Sequence, residues 1–355
     1  MKSINSTGEH LPLSGVVIST PTCRGSQTFP PTSARVIRSA ALPWILSPLV
    51  LLLLCLVNGL WPEFSTIWSP VPFLISLFVL GMPHGASDFA QIGEFFGVDD
   101  RKNRILFSFL YFLGMGLVLL VSLTAPGLSL IGFAVISVWH FGRSDLYSPK
   151  LAVPPLFFIA SRGLLLLSLP IAAQPGPVQE LVNGWMSILE GEVLSDLVWS
   201  RVISTSTLIA GISITSSVLL IALFGLHRDF VSFRRELLET AVLVLTLLFL
   251  DPVFALGAYF LFWHSLRNLN FHSGRDILSV SRIREWCGLD RRRSILFIPT
   301  LAAYIGASLF LFDSWRPDLQ VALLLIFFAV VTPSHEILQA ILQRSRRRGN
   351  RPAPD

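Results

Sequence analysis

Apolar runs near membrane-spanning length recur along most of the chain and alternate with short polar stretches. Continuous runs of this kind predict helices, since a barrel strand would show period-two alternation instead. They lie at approximately 41–61, 67–82, 105–124, 127–142, 153–173, 206–226, 237–250, 252–267, 295–313 and 319–342. The expected fold is an all-α polytopic membrane protein, a bundle of about ten transmembrane helices. Several segments are short for a span, and the pair flanking Asp251-Pro252 reads equally well as one broken or re-entrant element. Residues 1–34 are rich in Ser, Thr, Pro and Gly, lack an apolar run, and are expected to form a disordered polar tail. They also lack the apolar core and small-residue cleavage site of a secretory signal. The bundle then occupies 35–343 and a basic tail follows over 344–355.

Composition removes the soluble alternative. Of 355 residues, 52% are hydrophobic and 14% charged, against about a quarter charged in soluble domains, and the mean hydropathy is +0.66. The net charge of +5 does not point to a nucleic-acid partner, because the basic residues sit beside the apolar runs. Basic residues concentrate in cytoplasmic loops. With ten spans and an inside amino terminus, Arg35 and Arg38, Arg101 to Arg104, Arg143 and Lys150, Arg228 to Arg235, Arg267 to Arg293 and Arg344 to Arg351 all fall inside. Only Arg201 and Arg316 fall outside, with the acidic stretch of Glu180, Glu190, Glu192 and Asp196. Both termini are therefore expected in the cytoplasm and the chain in the cell (inner or plasma) membrane, with Arg344 and Arg346–Arg348 against anionic headgroups. Cys23, Cys55 and Cys287 form no C-x-x-C pair, so a disulfide framework or thiolate metal site is not expected.

Imidazoles within a bilayer are costly and mark candidate sites. His10 and His227 sit in polar surroundings and read as solvated residues. His84, His140, His264 and His335 sit toward the ends of the second, fourth, eighth and tenth expected helices, all running in one direction, which places them at one depth. Singly, each can cap a helix or bond at the interface. Together, without thiolates, they suit a first-row transition metal. Gly81 and Gly85 around His84 suggest irregular backbone, and Asp88, four residues on, is either a second-layer acceptor for an imidazole or a cap. Arg267 and Glu336 support the same site or touch lipid headgroups, and Arg162, in mid-span, needs a buried partner. H-E-x-x-H is absent, so a zinc protease is not indicated.

Gly81-Met82-Pro83-His84-Gly85-Ala86-Ser87-Asp88, Trp139-His140-Phe141-Gly142 and Trp263-His264-Ser265-Leu266-Arg267, in that order, resemble the G-x-P-H-G-A-x-D, W-H-F-G and W-H-S-x-R motifs of the Brp/Blh family of microbial β-carotene 15,15′-dioxygenases, over roughly residues 41–343. The resemblance implies an integral membrane enzyme dependent on Fe(2+), with 35–343 as its catalytic domain. It implies cleavage of β-carotene, or a related carotenoid, at the central double bond by dioxygen to give retinal, and hand-off of retinal to a rhodopsin. The family's iron ligands carry over to His84, His140, His264 and Asn268. Asn268 departs from the expected histidine and offers only a weak amide oxygen, so three outcomes stay open: His84, His140 and His264 hold the metal with water or Asn268 completing the shell, His335 or His272 substitutes, or the site is metal-poor. His335 itself is separated from Pro333 by Ser334, where relatives have Pro-His. Phe133, Phe141, Tyr259, Phe262 and Trp263 flank the implied ligands and are the candidates for lining a carotenoid path. Two other readings stay open: a non-catalytic carotenoid- or retinal-binding relative with an altered metal site, and a metal-ion or small-solute transporter, which would place polar groups at several depths.

Overall fold

A computed structural model of the protein describes residues 34–76, 88, 92, 95, 101–145, 156–265, 267, 294–311 and 316–349. The regular structure among them is helical. In chain order it comprises α1 (Ala34–Leu60), α2 (Phe64–Ile67), α3 (Val71–Ile75), α4 (Arg101–Thr124), α5 (Pro126–Asp145) and α6 (Leu156–Ala173). There follow α7 (Pro175–Ile188), α8 (Asp196–Leu226), α9 (Phe230–Phe249), α10 (Pro252–Ala258), which continues as a π-helical stretch (Tyr259–Ser265), α11 (Ser294–Leu311) and α12 (Pro317–Gly349). The expected polar tail lies outside the described residues except for Ala34, which opens α1. The helical course of α12 continues through residues 344–349.

Among the described residues four helices are long and apolar enough to cross a membrane: α4, α6, α8 and the Leu319–Ile341 part of α12. Ile45–Leu60 and Leu301–Leu311 are shorter apolar helices. The protein is a multi-pass membrane protein, but the expected bundle of about ten spans is corrected to four candidate spans, and the placement of both termini in the cytoplasm falls with the count on which it rested. The other apolar segments fail for identifiable reasons. The segment at 67–82 is broken by Trp68–Pro70 into α2 and α3, of four and five residues. The segment at 252–267 passes from α-helix to π-helix at Tyr259. The first half of α9 carries Arg234, Arg235, Glu236 and Glu239, and the last turns of α5 carry His140, Arg143 and Asp145.

The acidic stretch expected as an outside loop also proves structured. Pro175 and Pro177 occupy the first turn of α7, where a missing N–H costs nothing, and the helix buries Trp185 and Met186. The polar positions of α7 hid it from a search for long apolar runs. The next helix starts at Asp196, ten residues before the expected 206, where the Ser195 side chain accepts from the Val198 N–H at 3.5 Å.

Packing centres on α6, which touches α5, α7, α8 and α9. The α5–α6 crossing is backbone against backbone: a Cβ on Gly142 would stand 1.9 Å from the Ile159 carbonyl oxygen, and one on Gly163 would stand 1.9 Å from that of Val138. Small residues permit such approach, which drives helix association in membranes. A further core joins Leu165, Leu166 and Leu169 of α6 to Val242, Leu243 and Leu247 of α9 and to Phe254, Ala258, Tyr259 and Trp263. α12 lies across α4, α5 and α7, and α10 lies on α3. Facing lipid, α4 exposes Leu106, Phe109, Leu110, Leu113 and Leu117. The crossing of α5 and α6, with α12 and the π-stretch on its flanks, brings three imidazoles together.

Candidate metal centre

His140 stands on α5, His264 near the end of the π-stretch and His335 on α12. Their rings meet: the His140 and His264 centroids are 5.0 Å apart, and those of His140 and His335 are 5.7 Å apart. His264 and His335 are buried, and His140 nearly so. His140 Nε2 lies 3.2 Å from His264 Nε2.

Each ring is held from its other nitrogen. His140 Nδ1 donates to Glu336 Oε2 at 2.9 Å. His335 Nδ1 donates to Asp88 Oδ2 at 2.8 Å. His264 Nδ1 lies 3.2 Å from Ser144 Oγ, whose own proton goes to the Phe141 carbonyl at 3.1 Å, so the serine oxygen accepts from the ring. These partners select the Nδ1–H tautomer, which leaves the lone pair of a neutral imidazole on Nε2.

The two carboxylates are themselves anchored. Glu336 Oε1 accepts from Arg143 at 2.8 Å and from Trp139 Nε1 at 3.2 Å. Asp88 accepts from the Tyr111 hydroxyl at 2.9 Å and from Gln339 Nε2 at 3.4 Å. Asp88 thus serves His335, across 247 residues of chain. Glu336 serves His140.

The arrangement has a chemical consequence. Two imidazole nitrogens that both carry lone pairs repel at 3.2 Å unless a cation, metal or proton, lies between them. Metal–nitrogen bonds of about 2.1 Å at angles of 90–110° hold two imidazole nitrogens about 3.0–3.4 Å apart, so the observed separation suits adjacent ligands of one ion. Donation of Nδ1–H to a carboxylate or other oxygen is also the support that metal-bound histidines recurrently receive. The described residues alone do not complete a centre: no group of three or more His, Cys, Asp or Glu among them could hold an ion. His84, Asn268 and His272 lie outside the described residues.

A second polar network backs the imidazoles. Arg162 pairs with Glu236 and donates to Thr240 at 3.1 Å, which supplies the partner its mid-span position demanded. Arg235 and Arg267 pair with Glu239 at 2.8 and 3.1 Å. Arg267 is buried, with its guanidinium 3.6 Å over the Trp263 ring, so it is not a headgroup contact. The Tyr259 hydroxyl donates to Asp145 at 2.9 Å.

The aromatic candidates separate. Phe141 packs edge-on against His140 and His264, with centroids at 5.1 and 4.9 Å. Tyr259 is 6.3 Å from the His264 ring. Trp263 is fully buried beneath Arg267. Phe133 instead stacks on Trp185 at 5.8 Å, and Phe262 sits at the margin of the large core. Phe260, not singled out from the sequence, lies 5.0 Å from Phe141 and 6.4 Å from His264. Ser144, Tyr111 and Gln339 were also missed, because a hydroxyl or amide carries no sequence signal until its partner is known. A groove of about 440 Å³ between α6 and α8, lined by residues such as Phe157, Leu208, Ile212 and Ser216, shares no residue with this cluster.

A family model described as "Beta-carotene 15,15′-dioxygenase" matches residues 75–343. A curated relative from Halobacterium salinarum, named "Probable beta-carotene 15,15′-dioxygenase Blh", is 25% identical over 214 residues, which is 56% of this chain and 60% of the relative. The chain thus spans less than two thirds of that relative's length. No solved structure matches.

Proposed function

We propose, from the premise that this chain belongs to the beta-carotene 15,15′-dioxygenase family, whose model matches residues 75–343, that it cleaves β-carotene or a related carotenoid at the central double bond to give retinal. The observation that carries this reading is the pair of Nε2 lone pairs of His140 and His264 held 3.2 Å apart. The donor set is imidazole without thiolate, which suits iron among first-row metals. His140 and His264 would hold the ion, with His84 as a further ligand and His335 in the place that Asn268 leaves weak. Ferrous iron so held would supply the activation of dioxygen.

The chain's own residues do the rest. Glu336, Asp88 and Ser144 fix the tautomers, so that each Nε2 is ready to donate without losing a proton first. Phe141 and Phe260 cover the imidazoles with apolar surface, which excludes water and presents a hydrocarbon-compatible wall to a polyene arriving from the bilayer. Retinal is itself apolar and stays in the membrane, where a rhodopsin would accept it. Asn268 favours a second reading, a relative that binds carotenoid or retinal without cleaving it.

The test is to purify the full chain, quantify iron, and follow β-carotene loss and retinal formation in carotenoid-producing cells. The dioxygenase reading expects iron near one per chain and retinal from the parent, with both lost in His264→Ala. Retinal from Asn268→His alone selects the binding protein. Absence of iron and retinal in parent and Asn268→His alike overturns the assignment.

A further inference from the structure

His264 reaches His140 from a stretch of chain in an uncommon conformation. Residues Tyr259–Ser265 are π-helical, with bonds from i to i+5 instead of i to i+4. Such stretches are rare and occur chiefly at functional sites. Relaxation to α geometry would shift the helix by one residue in its turn, which rotates later side chains by roughly 100° about the axis. His264 would then leave His140, and a neighbour would take its direction. The π conformation therefore needs bonds from outside the helix.

Two such bonds grip the stretch, one at each end. At the start, Tyr259 donates to Asp145 of α5 at 2.9 Å, with both side chains buried. Asp145 follows Ser144, the residue that accepts from His264 Nδ1, so one turn of α5 touches the stretch at two places. At the end, Arg267 lies over Trp263 at 3.6 Å and pairs with Glu239 of α9 at 3.1 Å. Neither grip can drift easily, because Glu239 is also held by Arg235, and Asp145 lies in the field of both Arg162 and Arg267. Three guanidinium groups and three carboxylates are gathered here, so the network is formally neutral. Burying that many ions on the strength of pairing alone brings little stability. A task for the network in holding geometry accounts for its presence.

We propose that these two clasps, Tyr259 with Asp145 and Arg267 with Trp263 and Glu239, hold residues 259–265 in the π register and thereby aim His264 at His140. Tyr259, Asp145 and Arg267 are positioning residues for the imidazole pair. The aiming half of the inference rests on the metal reading above; the clasp half does not.

The experiment uses the full chain in lipid nanodiscs without added metal and measures amide hydrogen exchange of peptides covering 256–265. Tyr259→Phe removes one hydroxyl. Arg267→Lys keeps the charge toward Glu239 but loses the planar group over Trp263. Each is expected to raise exchange in 256–265 about 10-fold. Ser122→Ala is the control, since it removes a buried hydroxyl that bonds Ser129 Oγ at 2.6 Å between α4 and α5, and it leaves 256–265 unchanged. Ferrous iron affinity, by competition with a chelator, is then expected to weaken 10- to 100-fold in both test variants and not in the control. Should Tyr259→Phe fail to fold, Arg267→Lys carries the test alone. Unchanged exchange at 256–265 in a folded variant overturns the clasp. Raised exchange with parental iron affinity overturns the aiming of His264. Raised exchange in a protein whose parent binds no iron upholds the clasp and overturns the iron reading instead.

Discussion

The two polar clusters on either side of α5 use the same carboxylate chemistry to opposite ends. On one side Glu336 and Asp88 accept from imidazoles; on the other Glu236 and Glu239 pair with guanidinium groups. A guanidinium has only donors, so its pair with a carboxylate is a closed unit. An imidazole that donates through Nδ1 still has a lone pair to offer at Nε2, so its pair with a carboxylate stays chemically open. The guanidinium cluster can therefore only hold, while the imidazole cluster can also bind.

That contrast is most sharply tested by breaking the closed side. Arg162→Met leaves Glu236 buried without its cation, and is expected to lower stability by about 3–5 kcal/mol, read from denaturation in mild detergent. Next comes Gly142→Ala, at the shared helix crossing. A Cβ there meets the Ile159 carbonyl at 1.9 Å, so α5 must move off α6, at about 1–3 kcal/mol, with a fall in iron content because His140 moves with it. The open side behaves differently. Glu336→Gln keeps an oxygen acceptor for His140 but removes the charge, and is expected to weaken iron binding about 10-fold with a melting temperature close to that of the parent. The smallest effect belongs to Trp139→Phe, which removes one 3.2 Å bond to Glu336 from an exposed indole and is expected to change iron affinity by less than about fivefold. A melting temperature that falls more for Glu336→Gln than for Arg162→Met would reverse the comparison.

Legibility from the sequence varied with the kind of signal. Apolar runs announced helical segments through α4, α6, α8 and α12, because a long hydrocarbon-facing helix writes itself as continuous hydrophobicity. They misjudged how many such segments are long enough to span, since prolines at the start of α3 (Pro70 and Pro72) or a change of helix type at Tyr259 shorten an element without changing its composition. The amphipathic α7 escaped altogether. Of the site, His140, His264 and His335 stood out because imidazoles are costly in a bilayer. Their partners did not stand out: Asp88 reads from the sequence as an acceptor for some imidazole or as a cap, and it bonds one 247 positions away. Choosing aromatics by adjacency to a ligand found Phe141, yet it took Phe133, which stacks on Trp185, and passed over Phe260.

The sequence by itself determined that this chain is helical, built for a membrane, and supplied with imidazoles in an apolar setting, because each of these is a property of local composition. Only the tertiary structure decided which carboxylate serves which histidine, that Arg162 answers to Glu236, and that His140 and His264 meet nitrogen to nitrogen. Those facts depend on helix crossings a few ångströms wide and on a π register, and a pairing between segments 74 to 247 residues apart leaves no trace in the periodicity of either one.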